Sequence, residues 1–75
     1  MKILLFASAY NGMCQRVHRE LESEGHIISI ELSANEQQML RAVENFQPEL
    51  ILCPFLKHRV PEQIWRSQLC LILHS

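Results

Sequence analysis

The sequence predicts an α/β fold with a parallel sheet. Four apolar segments of strand length alternate with three segments of helical periodicity. The strand segments are apolar at consecutive positions, the pattern of strands buried on both faces. Strands that alternate with helices are joined by right-handed crossovers and lie parallel. The expected order is therefore β-α-β-α-β-α-β.

Each element follows from its own residues. Ile3 to Ala9 is an unbroken apolar run, and Asn11-Gly12 ends it. Asn11 is placed to cap a helix that runs through Glu24, with Met13, Val17 and Leu21 recurring every four residues. Arg16/Glu20 and His18/Glu22 stand one turn apart on its outer surface, and Gly25 supplies the left-handed stop. A second strand, rich in isoleucine, spans His26 to Leu32. Ser33 and Glu36 form a capping box for the next helix. That helix is expected to bury Met39, Leu40, Val43 and Phe46 and to finish before Pro48. Leu50 to Cys53 is the third strand. Pro54 has no N–H for a ladder, which places the strand's end there. Pro61 begins a short helix that buries Ile64 and Trp65, and Leu69 to Leu73 is the fourth strand.

Composition narrows the class. At 75 residues the chain lies near the lower limit for a self-sufficient core, and 48% hydrophobic content argues against disorder. A net charge of −1 lacks the clustered basic excess that nucleic acid or an anionic membrane requires. Cys14, Cys53 and Cys70 are odd in number, form no C-x-x-C pair, and two of them fall in apolar strands. That usage fits a reducing, cytoplasmic setting. Met1 to Ala9 mimics a short signal peptide, but its basic region is one lysine and its apolar run about half the usual length.

Coverage of the sheet raises a further expectation. The first two helices are expected on one face, leaving the other to the short Pro61–Ser67 helix. The last strand is as apolar as a central one, and an uncovered strand edge invites association. The expectation is a partial domain, completed by the rest of its domain or by another copy of the chain on the open face.

Ligands of open parallel sheets bind beyond the carboxyl ends of the strands. Those ends are Ser8–Gly12, Glu31–Ala34, Pro54–Arg59 and His74–Ser75. The first loop carries one glycine, so it is no G-x-G-x-x-G fingerprint, and Glu31 stands without the glycines a ribose-binding acid would accompany. Asn11 reads first as a cap, while Gln15 and Arg16 in the first turn reach the same mouth. Cys14 lies near a helix start with His18 one turn on, yet such a thiol more often packs against the sheet. The third loop gathers Lys57, His58 and Arg59. His74 closes the last strand, where a reacting group would meet it. A partner carboxylate to tune it is absent from that strand. No metal-ligating cluster is evident.

These residues carry a resemblance. Pro48-Glu49-Leu50-Ile51-Leu52, Pro61-Glu62-Gln63-Ile64-Trp65 and Cys70-Leu71-Ile72-Leu73-His74-Ser75 follow the order found in folate-dependent formyltransferases: a strand, a loop, a Pro-initiated helix and a strand ending in Asn-x-His. Ala9-Tyr10-Asn11, Gln15-Arg16-Val17-His18, Pro54-Phe55-Leu56-Lys57, Val60-Pro61 and Ile64-Trp65 resemble the N-terminal formyltransferase-like domain of the hydrogenase maturation factor HypX (HoxX) family. The likeness spans essentially the whole chain. It implies a Rossmann-like sheet forming the N-terminal portion of a formyltransferase-type domain. It also implies 10-formyltetrahydrofolate as the donor, with coenzyme A as a possible acceptor. The one-carbon unit would become the CO ligand of a nickel–iron hydrogenase. By position His74 matches the catalytic histidine, and the loop of Phe55, Leu56, Lys57, Arg59 and Val60 borders the pteridine. From their own positions rather than from the likeness, Asn11 at the first loop and Gln15 in the first helical turn are expected to bind the same ligand. Two departures stand out. The family's asparagine is Ile72 here, which removes a donor to a developing oxyanion, and the catalytic aspartate would lie past Ser75. The segment alone is therefore expected to be inactive.

Two other readings compete with the enzyme. A non-catalytic Rossmann-like interaction module would pair through an uncovered sheet face. A response-regulator or nucleotide-binding domain is disfavoured, because the acidic cluster and glycine fingerprint are missing.

Overall fold

The structure, a computed structural model, describes residues 1–32 and 35–73. The apolar runs form four parallel strands: β1 (Lys2–Ala7), β2 (Ile27–Glu31), β3 (Leu50–Phe55) and β4 (Cys70–Ile72). The helices are α1 (Gly12–Ser23), α2 (Glu36–Phe46) and α3 (Glu62–Ser67). Element order and the parallel sheet agree with the sequence. No helix among the described residues is long and apolar enough to cross a membrane.

Strand order in the sheet is β2-β1-β3-β4. This order corrects the expected placement of the helices. The chain moves one way from β1 to β2, then back past β1 to β3 and onward to β4. A right-handed crossover taken in opposite directions puts its helix on opposite faces. Cys14, Val17 and Leu21 of α1 accordingly pack with Ile3, Leu5, Ala7 and Leu52 on one face. Met39, Val43 and Phe46 of α2 and Ile64 of α3 pack with Leu4, Phe6, Ile51 and Cys53 on the other. The central strands are thus covered on both sides, and the expected bare face is absent over β1 and β3.

The uncovered surface is confined to the edges. Leu71 pairs in register with buried Leu52 yet is 46% exposed, and Leu69 on the same face is 63% exposed. Ile72 and Leu73 are exposed as well, as is Ile27 on the far edge strand.

Pro54 also departs from expectation, because β3 continues through it to Phe55. Leu5 pairs with Leu52 but Ala7 pairs with Phe55, so Cys53 and Pro54 together oppose Phe6. A bulge leaves its extra residue outside the ladder, and a residue without an N–H loses nothing there. Helix starts differ in their agreement. Asn11 caps α1, its side chain accepting from the Cys14 amide at 2.9 Å. The capping box expected at Ser33 is not the one used: Asn35 caps α2, accepting from the Gln38 amide at 2.8 Å, and Ser33 lies outside the described residues. Asn35 is next to the first helical residue, the position from which a side-chain oxygen reaches the N3 amide. Gly25 holds φ 93 just past α1, as a left-handed stop requires. Gln47 takes the same region at φ 53 after α2, directly before buried Pro48.

Candidate functional site

The reversal of strand order creates a switch point between β1 and β3. After β1 the chain leaves toward the α1 face, and after β3 it leaves toward the α2/α3 face. The two departing loops open a crevice at the carboxyl ends of the central strands, where open sheets receive ligands. Two hydrogen bonds tie the loops at their roots. The Ser8 amide donates to the Phe55 carbonyl at 2.6 Å, and the Lys57 amide donates to Ser8 Oγ at 2.8 Å. Ser8 was not singled out from sequence, since a serine after a strand has no signature of its own.

Asn11 and Gln15 share one side of this mouth. The Asn11 oxygen is occupied as a cap, which leaves its amide NH2 for other partners, and Gln15 is exposed on the first turn of α1. On the other side Phe55 and Leu56 are half-buried, with the Lys57 ammonium 5.6 Å from the Phe55 ring centre. Leu56 and Val60 pack on the α2/α3 core, so any ligand contact from Val60 would be made by its backbone. Lys57, His58 and Arg59 are exposed. His74, the expected catalytic histidine, lies outside the described residues.

A cavity of about 340 Å³ opens beside the third loop, lined by Glu36, Arg59, Val60, Pro61, Glu62 and Trp65. The starts of α2 and α3 meet there, each contributing a first-turn glutamate. Trp65, expected to be buried, is 51% exposed, because α3 turns Ile64 inward and a neighbouring position one residue on points away. Arg66 pairs with Glu62 at 2.6 Å and lies 5.8 Å from the indole.

The surface of α1 near the mouth is also organised. The Tyr10 hydroxyl is 2.9 Å from His18 Nδ1, and His18 Nε2 is 3.2 Å from the Glu22 carboxylate. Of the two expected pairs along α1, this one forms. Tyr10 and His18 lie eight residues apart, across a cap, and helical spacing gives no signal for that contact.

The thiols offer no nucleophile at the mouth. Cys14 is fully buried against β1, and burial pushes its thiol up rather than down. A hydrogen bond toward Cys70, together with burial, raises the Cys53 thiol, while the same bond lowers Cys70. Both belong to the α2/α3 core.

No family model matches the chain. Among individual proteins, it is 39% identical over 74 residues to a hydrogenase maturation factor HoxX from Bradyrhizobium diazoefficiens, a match covering 99% of this chain. Solved structures agree. A variant of HypX from Aquifex aeolicus superposes with a TM-score of 0.95 at 35% identity over 99% of the chain. The chain closely matches the HoxX/HypX maturation factors. A further Aquifex HypX structure, solved in complex with tetrahydrofolic acid, gives the same TM-score and identity. The Rossmann-like sheet is that of the HypX N-terminal region. This chain spans only 13% of the length of the HoxX relative and 13% of the tetrahydrofolate-bound HypX chain.

Proposed function

We propose that this chain is the N-terminal part of a formyltransferase-type hydrogenase maturation protein that binds 10-formyltetrahydrofolate at the switch-point crevice. The observation that carries this reading is the match, at TM-score 0.95, to a HypX chain solved with tetrahydrofolic acid. Here the Phe55–Val60 loop borders the pteridine. Lys57 and Arg59 supply cationic groups for the folate's carboxylates. Asn11, the cap of α1, and Gln15, on its first turn, face the second reactant. That reactant is coenzyme A, whose thiol adds to the formyl carbon and gives up its proton; the folate nitrogen takes a proton and then departs as the C–N bond breaks. His74 stabilises the oxyanion formed between the two steps. Ile72 supplies no side-chain donor, so backbone or further residues of the complete protein assist it. The product feeds the CO ligand of a nickel–iron hydrogenase in the cytoplasm.

The apolar side of β4 fits the same reading. Leu69, Leu71 and Leu73 would be covered by the rest of the formyltransferase-type domain, as parallel sheets are covered on both faces. This exposed strip equally favours a second reading, an interaction module that pairs through it with another copy of the chain.

Calorimetric titration of tetrahydrofolate into the intact protein tests the proposal, with formyl transfer assayed for wild type and His74→Ala. Saturable binding, with transfer lost in the variant, is expected. Absence of binding removes the folate reading, and unchanged transfer in His74→Ala removes His74 from it.

A further inference from the structure

The series Tyr10–His18–Glu22 has a direction. A carboxylate only accepts hydrogen bonds, so the 3.2 Å contact with Glu22 places the imidazole proton on His18 Nε2. In the neutral ring Nδ1 then carries a lone pair, and the Tyr10 hydroxyl, 2.9 Å away, donates to it. The phenolic oxygen keeps its own lone pairs for a further donor. An edge-on contact fixes the ring as well, the Tyr10 and His18 rings meeting at 77° with centroids 5.9 Å apart.

The position of this oxygen gives the series a use. Tyr10 directly precedes the Asn11 cap and lies two residues after Ser8, whose hydroxyl anchors the opposite loop through Lys57. Ser8 and Asn11 are thus pinned on either side of it, and Tyr10 is 40% exposed at the switch-point mouth. An exposed tyrosine ordinarily rotates freely, and holding it costs side-chain entropy. A group already held in its binding orientation forfeits less on meeting a ligand.

We propose that Tyr10 is a ligand-contacting residue of the crevice, accepting a hydrogen bond from an amide or amino N–H, with His18 and Glu22 as its positioning residues. This rests on the folate reading above. Tetrahydrofolate and the pantetheine arm of coenzyme A both carry such N–H groups, so the two are separate arms of one test. Each is titrated into the intact wild-type protein and into Tyr10→Phe, His18→Phe and the double variant, with thermal unfolding recorded alongside.

Tyr10→Phe is expected to weaken one of the two probes about five- to tenfold, the loss of one hydrogen bond. His18→Phe should weaken the same probe by less, since the phenol remains but is no longer aimed. The double variant should match Tyr10→Phe alone, because a positioning residue has nothing left to position. Melting temperatures should agree across the set. The assignment is overturned if Tyr10→Phe binds both probes as wild type does, or if the two losses add. A wild type that binds neither probe overturns the folate reading and this assignment with it.

Discussion

Strands β1 and β4 are similar in sequence and opposite in surroundings. Ile3 to Ala7 in β1 are all buried, with Phe6 at 0% exposure, whereas Leu71 and Ile72 in β4 are 46% and 57% exposed. Nothing in the side chains accounts for this. β1 has hydrogen-bonded neighbours on both sides and helices on both faces, while β4 has one neighbour and, on the α1 face, no helix above it. An apolar strand thus gains burial from its place in the sheet order. Equal hydrophobicity along the chain contributes unequally to stability.

Substitutions at matched positions sharpen that contrast. The largest effect is expected from Phe6→Ala, which empties a fully enclosed site and should destabilise by about 3–5 kcal/mol in denaturant titration. A loss below about 1 kcal/mol would mean that the two-faced cover of β1 is loose. Leu71→Asp should cost little in residues 1–75 alone, since an exposed position tolerates a charge within about 0.5 kcal/mol. In the intact protein the proposed cover makes the same change costly, by about 2 kcal/mol or more, through burial of an unpaired carboxylate. Equal, small effects in both settings would leave β4 exposed in the whole protein and favour the pairing module. Ser8→Ala is expected to have a smaller effect than Phe6→Ala or Leu71→Asp in the intact protein. It removes the acceptor for the Lys57 amide and should cost about 1 kcal/mol, with faster exchange of that amide by NMR.

Much of this architecture was legible in the sequence, for a local reason. Asn11 as a cap and Gly25 as a stop are set by neighbours within a turn or two and hold in the structure; of the expected stripe Val17 and Leu21 pack on the sheet, while Cys14 takes the place expected of Met13. Helix placement was not legible, because it depends on strand order, and no local pattern distinguishes β2-β1-β3-β4 from a sheet wound in one direction. Pro54 misled for a related reason: the bulge that tolerates it exists only once β1 lies alongside. Trp65 was expected to be buried beside Ile64, yet it sits one position off the buried stripe of α3. At the candidate site the loops were identified as the carboxyl ends of strands. The Ser8 crosslink spans 49 residues and the Tyr10–His18 contact crosses a cap, so neither has a sequence signature.

The pairing of β1 with β3 bears on how the chain is made. Ile3 pairs with Leu50, and Lys2 bonds Glu49 through both backbone and side chain. Translation delivers roughly 5–20 residues per second, so β1 waits roughly 2–9 s for its central neighbour to be synthesised. Until then its apolar run gains in turn α1, β2 and α2, but lacks the strand that pairs along its other edge. Non-local parallel pairing is slow even once both strands exist. The nascent polypeptide is therefore exposed to misassociation before residue 55 is in place, and binding of a holdase chaperone to Ile3–Ala7 would act in that window.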